Sequence, residues 1–297
     1  MCRLLGISKQ AFYKHTYDSA VRKACKEEFA LEFVHRIRAK APGIGGRKLW
    51  HMYKREFPTK ERVGRDWFED IICRYGLKVR KKKRKPRTTD STHGLPMYPN
   101  LVYSFVPETI NQMWVSDITY IPVWLSDNKY TFCYLSMVMD GYSREILGWS
   151  VGPTLETQYS AAALEMALER LNGATQDTVR ELIHHSDRGV QYASVEYVTK
   201  LKDRHIRISM TENGDPRENA MAERINLTMK DELLKGFRFS SVSEVREAVA
   251  RGIEFYNTLR PHMSLDMMTP IEAAMCKGKI EKKWRSYRDE AIKRGTA

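Results

Sequence analysis

Leu182-Ile-His-His-Ser-Asp187-Arg-Gly-Val-Gln-Tyr192 is a short apolar run that ends at an acidic residue. A further 35 residues separate Asp187 from Glu223, which lies inside a predicted helix. Upstream, Asp117 occurs within a β-rich apolar run, where an unpaired carboxylate would be costly to bury. A divalent metal site explains all three acids, because hard cations prefer oxygen ligands. Two such ions about 4 Å apart stabilise both the attacking and the leaving oxygen of a phosphodiester displacement.

Several motifs of the sequence together resemble those of a known protein family. They are Trp114-x-x-Asp117-Ile-Thr-Tyr, Val138-Met-Asp140-Gly-Tyr-Ser-Arg144, His184-His-Ser-Asp187-Arg-Gly-Val-Gln-Tyr192, Glu223 with Lys230, and Tyr256-Asn-x-x-Arg-Pro-His262. In this order and spacing they resemble the DDE transposases of insertion sequences. More narrowly, they resemble the orfB product of insertion sequence family three, whose core is similar to retroviral integrase. The matching motifs extend from about residue 114 to residue 270, with a weaker match toward the N-terminus.

The resemblance implies a metal-dependent enzyme that transposes DNA. Asp117, Asp187 and Glu223 would be the catalytic residues and would bind two Mg²⁺ ions, with Mn²⁺ as a substitute. The implied steps are hydrolysis that frees a 3′-OH at the end of the element, followed by attack of that 3′-OH on another phosphodiester. The implied partners are the transposon ends and the target duplex. We also expect a homo-oligomer on the DNA, and an upstream-frame protein or a fusion with it.

Residues near the three acids receive supporting or DNA-binding roles. Helical spacing places Asn219, Asn226 and Lys230 on the face of Glu223. The resemblance implies that Lys230 contacts DNA near the scissile phosphate. Arg188 either contacts a phosphate or caps its loop. We expect His185 to support Asp187 by hydrogen bonding rather than to bind metal.

The motif at the C-terminal end of the matching region has two interpretations. Tyr256, Asn257, Arg260 and His262 either pack against the helix that carries Glu223 or contact DNA directly. We favour packing. We expect Asp140, despite its charge, to cap the turn of a hairpin.

Charge is unevenly distributed along the 297 residues. Residues 1–89 contain 25 Lys and Arg against 9 Asp and Glu, residues 90–276 contain 17 against 25, and residues 277–297 contain 8 against 3. Basic ends are typical of proteins that bind polyanions, whereas an acidic middle would repel a phosphate backbone unless metal ions neutralised it. This distribution favours a nucleic-acid enzyme in which DNA binding and chemistry occupy different regions.

The composition is that of an ordinary soluble globular protein, with 42% hydrophobic and 29% charged residues. No apolar run reaches the roughly 18 residues of a membrane span, and the first residues are too short for a signal peptide. We therefore expect no membrane partner and a reducing cytoplasm. The five cysteines have no paired spacing, so the sequence predicts neither a zinc knuckle nor a disulfide framework.

Residues 1–77 are predicted to form a helical DNA-binding region. Residues 1–15 resemble the end of a helix-turn-helix, although a simple helical hairpin is equally compatible. Three further helices are predicted at residues 21–39, 47–57 and 65–75, the first with Phe29 on its apolar side. Their aromatic residues are interpreted as core rather than as a base-stacking surface. The resemblance implies a module that helps hold the transposon end.

Residues 78–107 are predicted to be a linker. Eight of the ten residues from Lys78 to Arg87 are Lys or Arg, and such a run cannot pack into a core. It is either a solubility or spacer segment or a segment that binds phosphates. We favour phosphate binding by the basic run, whose central residues are Lys81, Lys82, Lys83, Arg84 and Lys85.

Residues 108–276 are predicted to be an integrase-like catalytic core. The apolar periodicity predicts strands at residues 114–121, 130–139, 145–151, 181–185 and 206–210, and helices at residues 157–171, 194–203, 219–234, 241–258 and 270–277. This order is that of an α/β, ribonuclease-H-like fold with a five-stranded mixed sheet flanked by helices. Residues 277–297 are predicted to be a basic, frayed tail.

Two other functions remain compatible with these features. Another ribonuclease-H-like nuclease, such as an RNA–DNA hybrid hydrolase, would cleave without preference for an end sequence, and the basic N-terminal region disfavours it. A non-catalytic DNA-binding protein derived from a transposase would not need all three acids, and all three are present.

Overall fold

The computed structural model describes residues 6, 8, 10, 17–79, 94–173, 175, 179, 181–212 and 219–280. The chain divides into two compact units, Met1–Lys82 and Lys83–Ala297. The predictions for the first fifteen residues, for most of the basic run and for most of the C-terminal tail fall outside the described residues. No described helix is long and apolar enough to cross a membrane.

The described part of the first unit is helical, as predicted. Its helices are α1 (Tyr17–Lys40), α2 (Gly46–Glu56) and α3 (Arg65–Arg74). They meet through aromatic rings, with the Tyr53 ring 5.2 Å from that of Phe33 and 4.9 Å from that of Phe68. All three rings are buried, so the interpretation of these aromatic residues as core is confirmed.

The predicted apolar side of α1 is wrong at one position. Phe29 is 55% exposed, whereas Ala30, Phe33, Val34 and Ile37 are buried. These four residues follow the i, i+3, i+4, i+7 spacing of one helix face, and Phe29 lies about 100° away from it. Burial follows this face rather than the size of the side chain.

The second unit contains the predicted five-stranded mixed sheet. Its strands are β1 (Met113–Trp124), β2 (Tyr130–Asp140), β3 (Ile146–Gly152), β4 (Ile183–Ser186) and β5 (Arg207–Met210). The order across the sheet is β3-β2-β1-β4-β5, with β1, β2 and β3 antiparallel and β1, β4 and β5 parallel. The ribonuclease-H-like fold is therefore confirmed.

Helices cover both faces of the sheet. They are α4 (Thr157–Glu169), α5 (Val190–Ala193), α6 (Val195–Asp203), α7 (Ala220–Thr228), α8 (Val242–Thr258) and α9 (Pro270–Ala274). Residues of α4 and α6 share an apolar cluster with Val138 of β2, whereas Tyr256 of α8 contacts the sulfur of Met139. Successive residues of a strand point to opposite faces, so these helices lie on opposite sides. Gly148 of β3 lets α4 approach closely, because a Cβ there would lie 2.0 Å from the Ala163 carbonyl oxygen.

The helix predicted over residues 219–234 is not a uniform α-helix. Its α-helical part, α7, ends at Thr228 and continues as a π-helical turn, Met229–Leu233. The Leu234 N–H donates to the Met229 carbonyl five residues earlier, at 2.8 Å. Such turns occur mostly as single insertions in α-helices, often at functional sites.

Helix α7 lies beside the part of β1 that β4 leaves uncovered. Strand β4 pairs with β1 only over Met113 to Val115. Beyond that, the Asn219 side chain donates to the Ser116 carbonyl at 3.3 Å, and the Trp124 N–H donates to the Phe239 carbonyl at 2.7 Å. The segment from α7 to Phe239 therefore follows this edge of β1.

Two predicted helix starts differ in their capping. Ser241 caps α8 by accepting from the Glu244 N–H at 3.2 Å, but the Glu244 carboxylate accepts from Ser240 rather than returning a bond to Ser241. A reciprocal capping box occurs instead at α9, where Thr269 and Glu272 each accept from the backbone N–H of the other.

Candidate active site

The parallel register of β1 and β4 places Asp117 beside Asp187. Val115 is opposite His185 in this register, and each aspartate lies two residues further along its strand direction. Neighbouring strands are about 4.8 Å apart, and residues two apart point to the same face. The two half-buried aspartates therefore lie at the same edge of the sheet.

Hydrogen bonds orient both aspartates. Asp117 Oδ1 accepts from its neighbour Ile118 N at 2.9 Å, and Asp117 Oδ2 accepts from Asn226 Nδ2 at 2.7 Å. Asp187 Oδ1 accepts from Gly189 N at 3.0 Å. Different elements therefore orient the two carboxylates. Asp117 is held by β1 and α7, and Asp187 by the loop after β4.

The electrostatic environment of the buried Tyr192 hydroxyl agrees with the positions of both aspartates. Burial raises the pKa of Tyr192 well above its ordinary value, and the charges of Tyr197, Asp117 and Asp187 raise it further. Two carboxylates that act on one hydroxyl must both lie near it. This agrees with the position that the strand register gives them.

Glu223 lies on the side of α7 that contacts β1. Asn219 is four residues before Glu223 and bonds to the Ser116 carbonyl, and Asn226 is three residues after it and bonds to Asp117. Residues at these spacings share one face of a helix. The half-buried Glu223 is therefore held on the helix face that is anchored to the strand of Asp117.

The side chains at this edge do not form a closed metal-binding cluster in the structure. Among the described residues, no group of three or more His, Cys, Asp and Glu side chains is arranged to hold a metal ion. The donor chemistry nevertheless fits a hard divalent cation, because carboxylate and amide oxygens are its preferred ligands. The buried Oδ1 atoms of Asn219 and Asn226 have no hydrogen-bond partner among the described residues. A polar environment rich in acceptors and poor in donors suits a cation.

The residues predicted to bind DNA occupy different settings. Lys230 Nζ lies 3.7 Å from the centre of the Tyr120 ring, within the π-helical turn that follows α7. Arg188 Nε donates to the Thr211 carbonyl at 2.5 Å, which joins the loop after β4 to the end of β5. Asn219 contacts β1 as described above. The residues from Lys81 to Lys85 lie outside the described part of the chain.

The two histidines before Asp187 are buried within the sheet. His184 Nε2 is 2.8 Å from Ser116 Oγ and 2.9 Å from the Tyr197 hydroxyl, and burial lowers the pKa of His184 to about 3. His185 Nδ1 is 2.9 Å from Ser209 Oγ. His184 is therefore a neutral core residue, and His185 joins β4 to β5 just before Asp187.

The C-terminal motif braces the helix that carries Glu223. Arg260 forms a bidentate ion pair with Glu232 of the π-helical turn. Nε lies 2.8 Å from Oε1, and Nη2 lies 2.9 Å from Oε2. Arg260 also lies 2.9 Å from His262 Nε2, and the His262 and Tyr256 rings meet edge to face at 4.7 Å. These contacts support the packing interpretation of the motif.

The side chains of Asn257 and Asp140 form hydrogen bonds mainly with backbone groups, not with each other or with the residues of the candidate active site. The Asn257 amide accepts from Ile146 N and donates to Ile146 O, both at 3.0 Å, and thereby holds the start of β3. The Asp140 carboxylate accepts from the backbone of Asn111, Tyr142 and Ser143 and from the Ser143 hydroxyl. The prediction that Asp140 caps the hairpin turn is confirmed.

Sequence reasoning missed the direct contacts of Asn226 and Glu232. Asn226 was noted only for its position on the Glu223 face, but it is the residue that joins α7 to Asp117. A buried Asn one turn after an acidic residue was the available signal. Glu232 had no such signal, because its partner Arg260 is 28 residues away.

Comparisons with known proteins identify the family of the core. Two family models, both described as the integrase core domain, match residues 107–216 and 204–270. A candidate transposase of the insertion sequence element IS986/IS6110 from Mycobacterium tuberculosis (strain CDC 1551/Oshkosh) is 30% identical over 271 residues, which cover 90% of this chain and 95% of that protein. Transposase InsF of insertion sequence IS3A from Escherichia coli K12 is 34% identical over 204 residues, covering 67% of this chain and 66% of that protein.

A solved structure with a similar core is the catalytic core domain of the HTLV-2 integrase in complex with magnesium. It is 16% identical, covers 56% of this chain and 97% of its own, and gives a TM-score of 0.39. The sequence relatives and the family models together identify this chain. The chain belongs to the DDE transposases of insertion sequences, within insertion sequence family three, and is a polynucleotidyl transferase that transposes DNA through an integrase-type core.

Proposed function

We propose that Asp117, Asp187 and Glu223 are the catalytic residues of this transposase. The observation that carries the proposal is the parallel β1–β4 register, which makes the two aspartates neighbours at one sheet edge. Helix α7 is anchored to the same edge through Asn226, which brings Glu223 to the strand of Asp117. Three acids distant in sequence thus share one region of the fold.

These acids would hold two Mg²⁺ ions, with Mn²⁺ as a substitute: Asp117 and Asp187 at one ion, Asp117 and Glu223 at the other. Bound there, divalent ions polarise a phosphoryl oxygen and lower the pKa of a water or sugar hydroxyl. Asn226 and Gly189 N orient the carboxylates, and the Arg260–Glu232 ion pair holds the helix that carries Glu223.

The substrates we infer are the transposon ends and the target duplex. The reaction hydrolyses a phosphodiester to free a 3′-OH, which then attacks a second phosphodiester, and no covalent enzyme intermediate forms. Lys230 and Arg188 lie close enough in sequence to the acids to contact phosphates beside the scissile bond. We further infer a homo-oligomer assembled on DNA in the cytoplasm, with the product of an upstream reading frame as a partner or fused segment.

The decisive experiment replaces Asp187 with Asn. This change keeps the size and one acceptor oxygen of the side chain but removes its charge and one metal-binding oxygen, so we expect strand cleavage and strand transfer to fall by roughly three orders of magnitude or more. Binding to a transposon-end duplex should remain within a few-fold of wild type. Asp203→Asn, a change at an exposed aspartate of α6, is the matched control and should retain activity.

A variant that still joins DNA ends at the wild-type rate would refute the role of Asp187. Cleavage of RNA–DNA hybrids by the wild-type protein without preference for an end sequence would instead favour a different ribonuclease-H-like nuclease.

The basic run provides a test of how the protein holds DNA. Neutralising Lys81, Lys82, Lys83, Arg84 and Lys85 removes five cations. The negative slope of log affinity against log salt concentration should therefore become shallower by about 4.5 if all five contact phosphates of the duplex. The measurement is a titration of duplex DNA at several salt concentrations. An unchanged slope would mean that the run is a spacer.

A further inference from the structure

An exposed row of aromatic rings covers the distal halves of β1 and β2. We call Tyr120, Trp124, Tyr130 and Phe132 the aromatic strip. Tyr120 is 42% exposed, Tyr130 50% and Phe132 37%. The rings contact in sequence, with centres 5.0 Å apart for Tyr120 and Phe132, 5.3 Å for Phe132 and Tyr130, and 5.1 Å for Tyr130 and Trp124. A contiguous exposed aromatic surface of this kind marks an interaction site.

Cations stand at both ends of the aromatic strip. Lys230 Nζ lies 3.7 Å from the Tyr120 ring centre, and the Arg238 guanidinium lies 4.4 Å from that of Trp124. Arg238 also pairs with Asp127, but that aspartate is 96% exposed and its charge is screened by solvent. The strip therefore combines flat apolar rings with positive charge.

The strip lies beside the helical segment that carries Glu223. Lys230 follows Glu223 on that segment and contacts the Tyr120 ring. Tyr120 is three residues after Asp117 on β1, so the two side chains point to opposite faces of the sheet.

We propose that the aromatic strip binds an unpaired DNA strand that passes around the edge of β1 beside the helical segment of Glu223. Bases stack on the exposed Tyr130 and Phe132 rings, and Lys230 contacts the phosphates. Stacking on aromatic rings requires base faces, which a duplex conceals and a single strand presents. The proposal rests on the proposed function, because that function creates frayed or nicked strands at this edge.

A second copy of the chain fits the strip less well than a nucleic acid. In a twofold interface the same patch meets itself, so the cations of both copies would be brought into one interface without added negative charge. Burying like charges together is unfavourable, whereas a polyanion with flat bases matches both the charge and the rings.

The test measures stacking directly, because other basic regions of the chain would bind any DNA. Full-length protein is titrated with a single-stranded oligonucleotide that carries 2-aminopurine, whose fluorescence is quenched when it stacks on an aromatic ring. We expect saturable quenching by the wild type and roughly tenfold weaker binding of this probe for Phe132→Ser and for Tyr130→Ser. Phe132→Trp keeps an aromatic ring at this position and should bind the probe as tightly as the wild type. Tyr103→Ser, at a residue 55% exposed in the same unit but outside the strip, is the matched control.

Two results would overturn the proposal. One is equal quenching and affinity in the wild type and both serine variants. The other is a smaller oligomer with unchanged probe binding, which would make the strip a contact between copies. Asp187→Asn should bind the probe like the wild type. Activity of Asp187→Asn would therefore count against the catalytic assignment alone, and loss of stacking in the serine variants would still support the strip.

Discussion

Asp140 differs from Asp117 and Asp187 in its role, although all three acids occur in similar sequence contexts. Each acid lies within or just after a predicted strand. Asp140 is 1% exposed and accepts four hydrogen bonds from its own turn and from Asn111. Asp117 and Asp187 are half-buried at an edge of the sheet. A saturated, enclosed carboxylate supports the backbone, whereas a carboxylate that keeps solvent-facing oxygen surface is available to a ligand.

Burial and hydrogen bonds act in opposite directions on Asp140. Burial raises its pKa, and the hydrogen bonds from Ser143, Asn111 and Tyr142 lower it, with burial the larger effect. The structural value of Asp140 therefore comes from the acceptor geometry that it offers to backbone N–H groups. Removing its side chain would leave those donors buried without partners.

The largest expected effect compares Asp140→Ala with Asp117→Ala. Asp140→Ala should lower the free energy of unfolding by about 3 kcal/mol, because several buried donors lose their acceptor. Asp117→Ala should lower it by less, about 1 kcal/mol, because the buried Asn226 amide loses its acceptor, but it should abolish strand transfer. Urea denaturation and an end-joining assay measure the two quantities. The contrast fails if both variants lose the same stability, or if Asp117→Ala remains active.

An intermediate effect is expected at Asn226, the residue that orients Asp117 from α7. Asn226→Ala should reduce strand-transfer activity and Mg²⁺ affinity by about 10- to 100-fold, because the carboxylate loses the donor that positions it. The readout is the Mg²⁺ dependence of the rate, which should shift to higher concentration.

Asn257→Ala is the control for Asn226→Ala. Asn257 binds the backbone of Ile146 on β3, so its removal should lower stability and leave the Mg²⁺ dependence unchanged. A Mg²⁺ profile shifted equally by both variants would show that Asn226 acts only through the general stability of the core.

The expected effect of His184 is the smallest at neutral pH, because it develops only as the pH falls. Burial lowers the pKa of His184 from 6.5 to about 3, so between these values the unfolded chain binds a proton that the folded chain does not. Stability is therefore complete above about pH 6.5 and decreases as the pH falls, by at most about 1.4 kcal/mol per pH unit. Urea denaturation at several pH values measures the slope. His184→Gln should show a smaller slope between pH 6.5 and 4, and an identical slope would assign the pH dependence to other groups.

The fold could be predicted from local sequence patterns. Strands β1 to β5 alternate or form short apolar runs between turn residues, and their order with the intervening helices admits few topologies. Caps with local signals were also predictable. The Gly76 stop of α3 is an example: Gly76 has a φ of 65°, and Leu77 N donates to Ile72 O at 2.9 Å.

Errors arose where position depends on packing between distant segments. The side of α1 that is buried depends on its partners, and this excluded Phe29. The π-helical turn after α7 places Glu232 against Arg260, a residue from a later helix end. Neither partner is visible in a local window of sequence.

By itself, the sequence determined the identity of the three acids, the order of the strands, the basic ends and the family to which the chain belongs, because these depend on residue type and spacing. Only the tertiary structure decided that Asp117 and Asp187 are neighbours through the β1–β4 register and that Asn226 joins Asp117 to the helix of Glu223. It also decided that the aromatic strip lies beside the helical segment of Glu223 and Lys230. The physical reason is that hydrogen bonds and ring contacts act over a few ångströms in space. Their partners lie tens of residues apart, and only the folded chain brings them together.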